Sequence, residues 1–146
     1  MVVIFSEKNM KCTFFGHRNA ASVIKPALTN CIEKLILQNN AKIFYVGTHG
    51  AFDRIVWEIL CLLKEIYPHI ICYKVLAYLP TNNIEAPEST IYPEGLEALP
   101  KKFAILKRNE WMVNTADTVI AYVRHPGGAD TFTKMAKRKG KLVIEL

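Results

Sequence analysis

The stretch Asp117-Thr-Val-Ile-Ala-Tyr-Val-Arg-His-Pro-Gly-Gly-Ala-Asp-Thr-Phe-Thr-Lys134 decides the fold. Its first part, Thr118 to Val123, is an apolar run of strand length that leads into turn residues, as in a buried strand. His125-Pro-Gly-Gly128 supplies the turn, and a helix opens near Ala129 to Thr131. A glycine turn between a strand's end and a helix's start exposes free backbone N–H groups beside the positive end of a helix dipole. Such a corner either holds a phosphate or carboxylate or is no more than a tight connection, and the stretch alone leaves both open.

Working outward, the same alternation recurs. Cys12 to Phe15 reads as a first strand, ending at Gly16-His17-Arg18. From Ala20 to Gln38 the apolar residues Ile24, Leu28, Ile32, Leu35 and Ile36 keep helical spacing, and Asn39-Asn40 stops them. Ile43 to Val46 is a second strand, followed by Gly47-Thr48-His49-Gly50 and a helix from about Ala51 to Tyr67-Pro68. Ile70 to Tyr78 is a third strand, too continuously apolar for a sheet with one wet face. Pro100 suits the first turn of a further helix running to Thr115, with Phe103, Leu106, Met112 and Val113 facing inward. Leu142 to Leu146 closes the chain as a fifth strand.

Strands alternating with helices imply an α/β fold, a mostly parallel sheet covered on both faces. Right-handed crossovers then favour one doubly wound domain over residues 1–146, with about five strands in the order 3-2-1-4-5. The ligand crevice is expected at the C-terminal strand ends, where the winding reverses between strands 1 and 4.

Composition narrows the class. Of the 146 residues, 51% are hydrophobic and 22% charged, which is globular rather than disordered. No apolar run is long enough for a transmembrane helix, and Glu7, Lys8 and Lys11 break up the start as a secretory signal. No membrane partner is therefore expected. Cys12, Cys31, Cys61 and Cys72 are scattered without a CxxC pairing and read as reduced, mostly buried thiols of a cytoplasmic protein.

The net charge of +6 is uneven: +4 over residues 1–78, −4 over 79–100 and +6 over 101–146. The basic run Lys134, Lys137, Arg138, Lys139, Lys141 lacks interleaved aromatics, so helix-end solvation explains it better than nucleic-acid binding does. The segment Leu79 to Pro100 carries four prolines and four glutamates. It is longer than a connection requires and reads as a lid, a surface excursion, or a face paired with a second subunit in a homo-oligomer.

Under this topology three glycine- and histidine-bearing loops adjoin: Gly16-His17-Arg18, Gly47-Thr48-His49-Gly50 and Arg124-His125-Pro126-Gly127-Gly128. The arginines suit a phosphate or carboxylate. Asp53, in the first turn of the second helix, either favours that helix's dipole or takes a ribose hydroxyl. No HxxxH or HxH spacing supports a metal site among the histidines, and no GxSxG elbow supports a serine nucleophile. Neither metal nor cofactor is expected.

Five motifs occur in register: Cys12-Thr-Phe-Phe-Gly-His-Arg18, Gly47 with Asp53, Arg108-Asn-Glu-Trp-Met-Val-Asn-Thr-Ala-Asp117, Pro126-Gly-Gly128 and Ala136-Lys-Arg-Lys-Gly140. Together they resemble the SLOG superfamily (the Smf/DprA and LOG proteins) and, within it, the uncharacterised YpsA-like branch. The resemblance implies a Rossmann-like fold that binds a nucleotide or nucleotide-derived ligand at the glycine turn. It points to Gly16, Arg18, Gly47, Asp53, Arg108, Asn109, Gly127, Gly128 and Thr131, beside which His17, Thr48 and Pro126 lie in the same loops. LOG-type phosphoribohydrolases resemble a PGGxGTxxE pattern, where this chain has Asp130 for a glycine and Lys134 where one glutamate would stand, and Thr133, the other candidate position, supplies no carboxylate. Their arginine-lysine pair is Arg108-Asn109 here.

The expected function is binding of a nucleotide or nucleotide-derived small molecule, as a sensor or binding module. The alternatives are cleavage or transfer of a nucleotide's N-glycosidic bond and, on the basic charge and the DprA relatives, single-stranded DNA binding. Glu85, Glu88 or Glu94 would supply a catalytic carboxylate if the long segment folded over the crevice.

Overall fold

The computed structural model describes residues 8–79 and 89–146. Its strands are β1 (Met10–Gly16), β2 (Ala41–Val46), β3 (Ile71–Val75), β4 (Thr90–Ile91), β5 (Thr118–Tyr122) and β6 (Leu142–Glu145). The helices are α1 (Lys25–Gln38), α2 (Gly50–Ile66), α3 (Lys101–Thr115) and α4 (Gly128–Arg138). All six strands are parallel in one sheet of order β4-β3-β2-β1-β5-β6. The fold is therefore Rossmann-like, and the expected order is embedded in it. The difference is one added edge strand: Thr90 and Ile91 pair with Lys74 and Val75, fixed by Lys74 N–H to Ser89 O at 2.9 Å and Leu76 N–H to Ile91 O at 2.8 Å.

The period of two along each strand divides the core. Phe14, Phe44 and Ile120 face α1 and α2, where Leu28, Ile32, Phe52, Val56, Ile59 and Leu60 are buried against them. Phe15, Tyr45, Val75 and Val119 face α3 and α4 and meet Met112, Val113, Phe132 and Ala136. Each fully buried large side chain contributes about 1.5–3 kcal/mol, so both layers stabilise the sheet between its helices.

Several boundaries move for local reasons. A 3-10 turn at Ser22–Ile24 precedes α1, whose first turn contains Pro26, so the regular helix starts later than Ala20. Asn40, at φ 55°, ends it in the left-handed region that asparagine tolerates. In α3 the buried stripe is Ala104, Arg108, Met112 and Val113. Phe103 and Leu106 lie outward, 55% and 44% exposed, contrary to their expected inward facing. All four cysteines are free, but Cys61 is exposed. Burial pushes the Cys12 thiol up to about 12 and that of Cys72 up to about 11, which makes both unreactive.

Of the 79–100 segment, Ile91 enters the edge strand, Leu96 is buried, and Glu94 is exposed away from the crevice. Pro80, Ile84, Glu85, Pro87 and Glu88, on which the lid and its carboxylates partly rested, lie outside the described residues. Among the described residues no helix is long and apolar enough to cross a membrane.

Candidate functional site

A cleft of about 800 Å³ opens at the C-terminal end of the sheet, across the ends of β1, β2 and β5 and between α3 and α4. Its size falls in the range of small-molecule sites, roughly 300–1,000 Å³. Gly16, His17, Arg18, Asp53, Arg108, Asn109, Gly127 and Gly128 line it, all of them residues singled out from the sequence. Gly47 and Thr48 line a smaller neighbouring cavity of about 360 Å³, which shares Asp53. Pro126 and Thr131 line neither; the Thr131 hydroxyl donates to Gly127 O at 2.9 Å, within its own helix turn. The sequence did not single out Asn19, Lys102, Ile105, Leu106, Met112, Phe132 and Phe15, which form much of the remaining wall.

Two of the predicted glycines are explained by the protein's own packing. A Cβ on Gly16 would fall inside the Phe52 ring. One on Gly47 would lie 2.7 Å from Asp53 Oδ2 and 3.4 Å from Arg108 Cζ. Gly47 thus permits the close approach of Asp53 and Arg108.

Arg108 is 2% exposed and held on several sides. Its Nε–H donates to Asn109 Oδ1 at 2.8 Å, Nη1 to Val75 O at 2.9 Å and Thr48 Oγ1 at 3.2 Å, and Nη2 to His49 Nδ1 at 3.2 Å. A guanidinium carries five N–H donors, so these four bonds leave one Nη2–H for the cleft. The nearby Glu110 is not its partner: it pairs with Lys107 at 3.5 Å. Burial disfavours the guanidinium's charge, and Asp53 is the largest opposing influence.

His17 and His49 each present a ring lone pair to a donor, which favours the neutral imidazole. Arg124 N–H donates to His17 Nε2 at 2.6 Å, so the ring proton sits on Nδ1, which has no partner among the described residues. His17 stacks on His125 at 3.7 Å between ring centroids. Burial, then His125 and Arg124, lower the His17 pKa. His49 is lowered by burial, then by Arg108 and Arg18. Among the described residues no cluster of histidine, cysteine or carboxylate could hold a metal ion.

Asp53 is the one carboxylate lining the cleft among the described residues. Its Oδ2 accepts His49 N–H at 3.0 Å. Burial pushes its pKa up from 3.8 to about 6, against the opposing pull of that N–H, Arg108 and Arg18. Because the folded pKa is raised, Asp53's contribution to stability is fully present below about 3.8 and lost as pH rises through about 6. The two histidines run the other way: their contribution is present above about 6.5 and lost as pH falls. Asp53→Asn removes the first slope and keeps an acceptor for His49 N–H. It should raise stability by roughly 1–2 kcal/mol above pH 6, discounting for solvent screening, with the gain vanishing toward pH 4. Thermal melts across pH check this; a constant difference would refute it.

At the β5 corner, Gly127 takes φ 152°, a conformation that favours glycine, and α4 has no side-chain cap. Gly128 and Ala129, whose N–H groups have no partner within the helix, line the cleft. Asp130 does not line the cleft; it pairs with Lys134 at 3.0 Å, one turn along the helix. The two departures from the LOG pattern are thus partners of each other, and the Asp130 charge, which still acts on His17, is partly offset by Lys134. A Cβ on Gly128 would meet nothing within 4 Å. Gly128→Val should therefore fold with near-native stability and lose binding of any ligand seated at this corner, checked by calorimetry; unchanged affinity would remove the corner from the site.

The basic run is largely engaged: besides the Lys134 pair, Lys137 meets Glu145 at 3.0 Å, and Lys139 and Lys141 reach Asn114. Arg124 sits over Tyr122 and donates to Leu146 O at 2.7 Å.

Fold and cleft together define a doubly wound Rossmann-like domain with its crevice at the winding reversal. Among solved structures, the chain is similar to DNA processing protein A from Helicobacter pylori, with a TM-score of 0.63 at 18% identity over 93% of this chain. At that identity the likeness is one of fold, and this chain spans 64% of the other's length. That protein binds single-stranded DNA. No family model and no curated protein matches this sequence.

Proposed function

We propose that the cleft binds a nucleotide or nucleotide-derived small molecule, and that the protein acts as a sensor or binding module. The observation that carries this is the polarity of the cleft. Donors converge on it from both sides: Arg18, Lys102, His17 Nδ1–H, the remaining Arg108 N–H and the first amides of α4. One carboxylate, Asp53, is placed among them. A ligand rich in anionic oxygens that also carries a hydroxyl suits this set, with the phosphate at Gly127–Gly128 and the hydroxyl on Asp53. Phe15, Phe132, Met112 and Leu106 offer an apolar wall for a base. In this proposal the chain is one cytoplasmic SLOG domain of the YpsA-like branch, spanning residues 1–146. Thermal-shift titration with AMP, ADP, NAD and ADP-ribose tests it: a saturable rise in Tm lost in Gly128→Val supports the proposal, and no response to any of them removes it.

Glycosidic cleavage stands second, on one observation. A carboxyl group with a pKa of about 6 lies in the cleft, where it exchanges protons near neutrality. Release of adenine and ribose 5-phosphate from AMP, abolished by Asp53→Asn, would establish it. The fold likeness to a single-stranded DNA-binding protein motivates a third assay, fluorescence anisotropy with a labelled oligonucleotide. The engaged lysines of α4 favour weak, salt-sensitive binding at most.

A further inference from the structure

We propose that His49 is a proton-sensitive bolt that joins the Arg108 side of the cleft to both ends of the 79–100 segment. Its ring lies between two groups of fixed chemistry. The Arg108 guanidinium can only donate, so His49 Nδ1, 3.2 Å from Nη2, presents its lone pair. The ring proton is then on Nε2, which donates to the Tyr78 hydroxyl at 3.0 Å. Tyr78 stands where the chain leaves β3, and its ring carries the ammonium of Lys101 at 4.9 Å. Lys101 is the first residue of α3, where the segment returns. One aromatic ring thus gathers the segment's departure and its return, and His49 ties that ring to Arg108. The His49 backbone N–H also holds Asp53, so α2, α3 and the end of β3 meet at this one residue.

Protonating the ring removes the lone pair that seats Arg108 and sets a second cation against the guanidinium. Arg108 and, beyond Tyr78, Lys101 face it from α3, Arg18 from the loop after β1, Asp53 from α2 and Tyr78 from the end of β3. Asp53 alone among these carries negative charge near neutrality. The imidazolium must therefore swing away from Arg108, and the bond to Tyr78 is lost with the same movement. Neutral His49 keeps cleft wall and segment base fastened together; protonated His49 frees both. The device acts in the empty protein and does not depend on the identity of the cleft's ligand.

Nitrogen-15 NMR of imidazole and guanidinium groups, with carbon-13 NMR of the tyrosine rings, in the full chain without ligand tests it. At neutral pH His49 should show the Nε2–H tautomer. As pH falls to about 5, below the ordinary imidazole value of about 6.5, the Arg108 Nε–H and Tyr78 ring signals should shift with the same midpoint as His49. Asp53, whose own carboxyl titrates at about 6 beside Arg108, is first replaced: in Asp53→Asn the shifts should persist, and in Asp53→Asn with His49→Gln, whose amide offers a donor and an acceptor but does not titrate, they should disappear. An Nδ1–H tautomer, separate midpoints, or undiminished pH shifts in the double variant would overturn the bolt. If the double variant fails to fold, the tautomer and midpoints in Asp53→Asn decide alone.

Discussion

Arg108→Ala should lower folding stability by about 3–5 kcal/mol, more than it weakens any ligand. The side chain is almost wholly buried and ties α3 to the ends of β2 and β3. Truncation leaves Val75 O without its side-chain donor, at about 1–3 kcal/mol for an unsatisfied buried group, and opens a cavity beside Met112. It also removes the largest charge that opposes the desolvation of Asp53. Arg108→Lys should fall between, because a point ammonium cannot reproduce a fork that reaches four acceptors. Urea unfolding measures both variants, and a loss below about 1 kcal/mol for alanine would show that the network is not structural.

Gly16→Val should cost about 3 kcal/mol or more, the upper end of overpacking penalties. The added Cβ falls on the Phe52 ring, which is fully buried in the layer under α2 and has no flexible end to yield. Combining the substitution with Phe52→Ala should recover part of the loss, since the pair share one volume. Additive losses in the double variant would contradict the assignment of Gly16 to packing.

The two cases show where a sequence is readable and where it is not. The alternation of apolar runs and glycine turns carries the strand order, because each crossover is local and its handedness is fixed. The edge strand at Thr90–Ile91 carries no such signal, being two residues long within a proline-rich stretch. Phe103 and Leu106 mislead because hydrophobicity alone assigns the inner face, whereas the true stripe has Arg108 at its centre. Periodicity cannot announce a buried charge whose partners come from β3, the loop between β2 and α2, and the adjacent Asn109. The cleft-lining loops were legible as glycine-bearing strand ends. Which glycine serves packing was not, since Gly16 meets Phe52 and Gly47 meets Asp53 only once α2 has folded back on the sheet.

The Asp130–Lys134 pair sets an order of events for anyone who would build phosphoribohydrolase chemistry into this scaffold. A glutamate placed at 134 while Asp130 remains would set two carboxylates one helical turn apart, a repulsion of about 0.2–0.5 kcal/mol on the helix. It would also release Asp130 toward the amides of Gly128 and Ala129, where the proposed ligand would place its phosphate. Replacing Asp130 by glycine first avoids both. Lys134 then stands alone for one step, a charge that solvent readily accommodates. Of the two orders in which the two substitutions can be made, only the one through glycine at 130 first keeps Asp130 from competing at the corner.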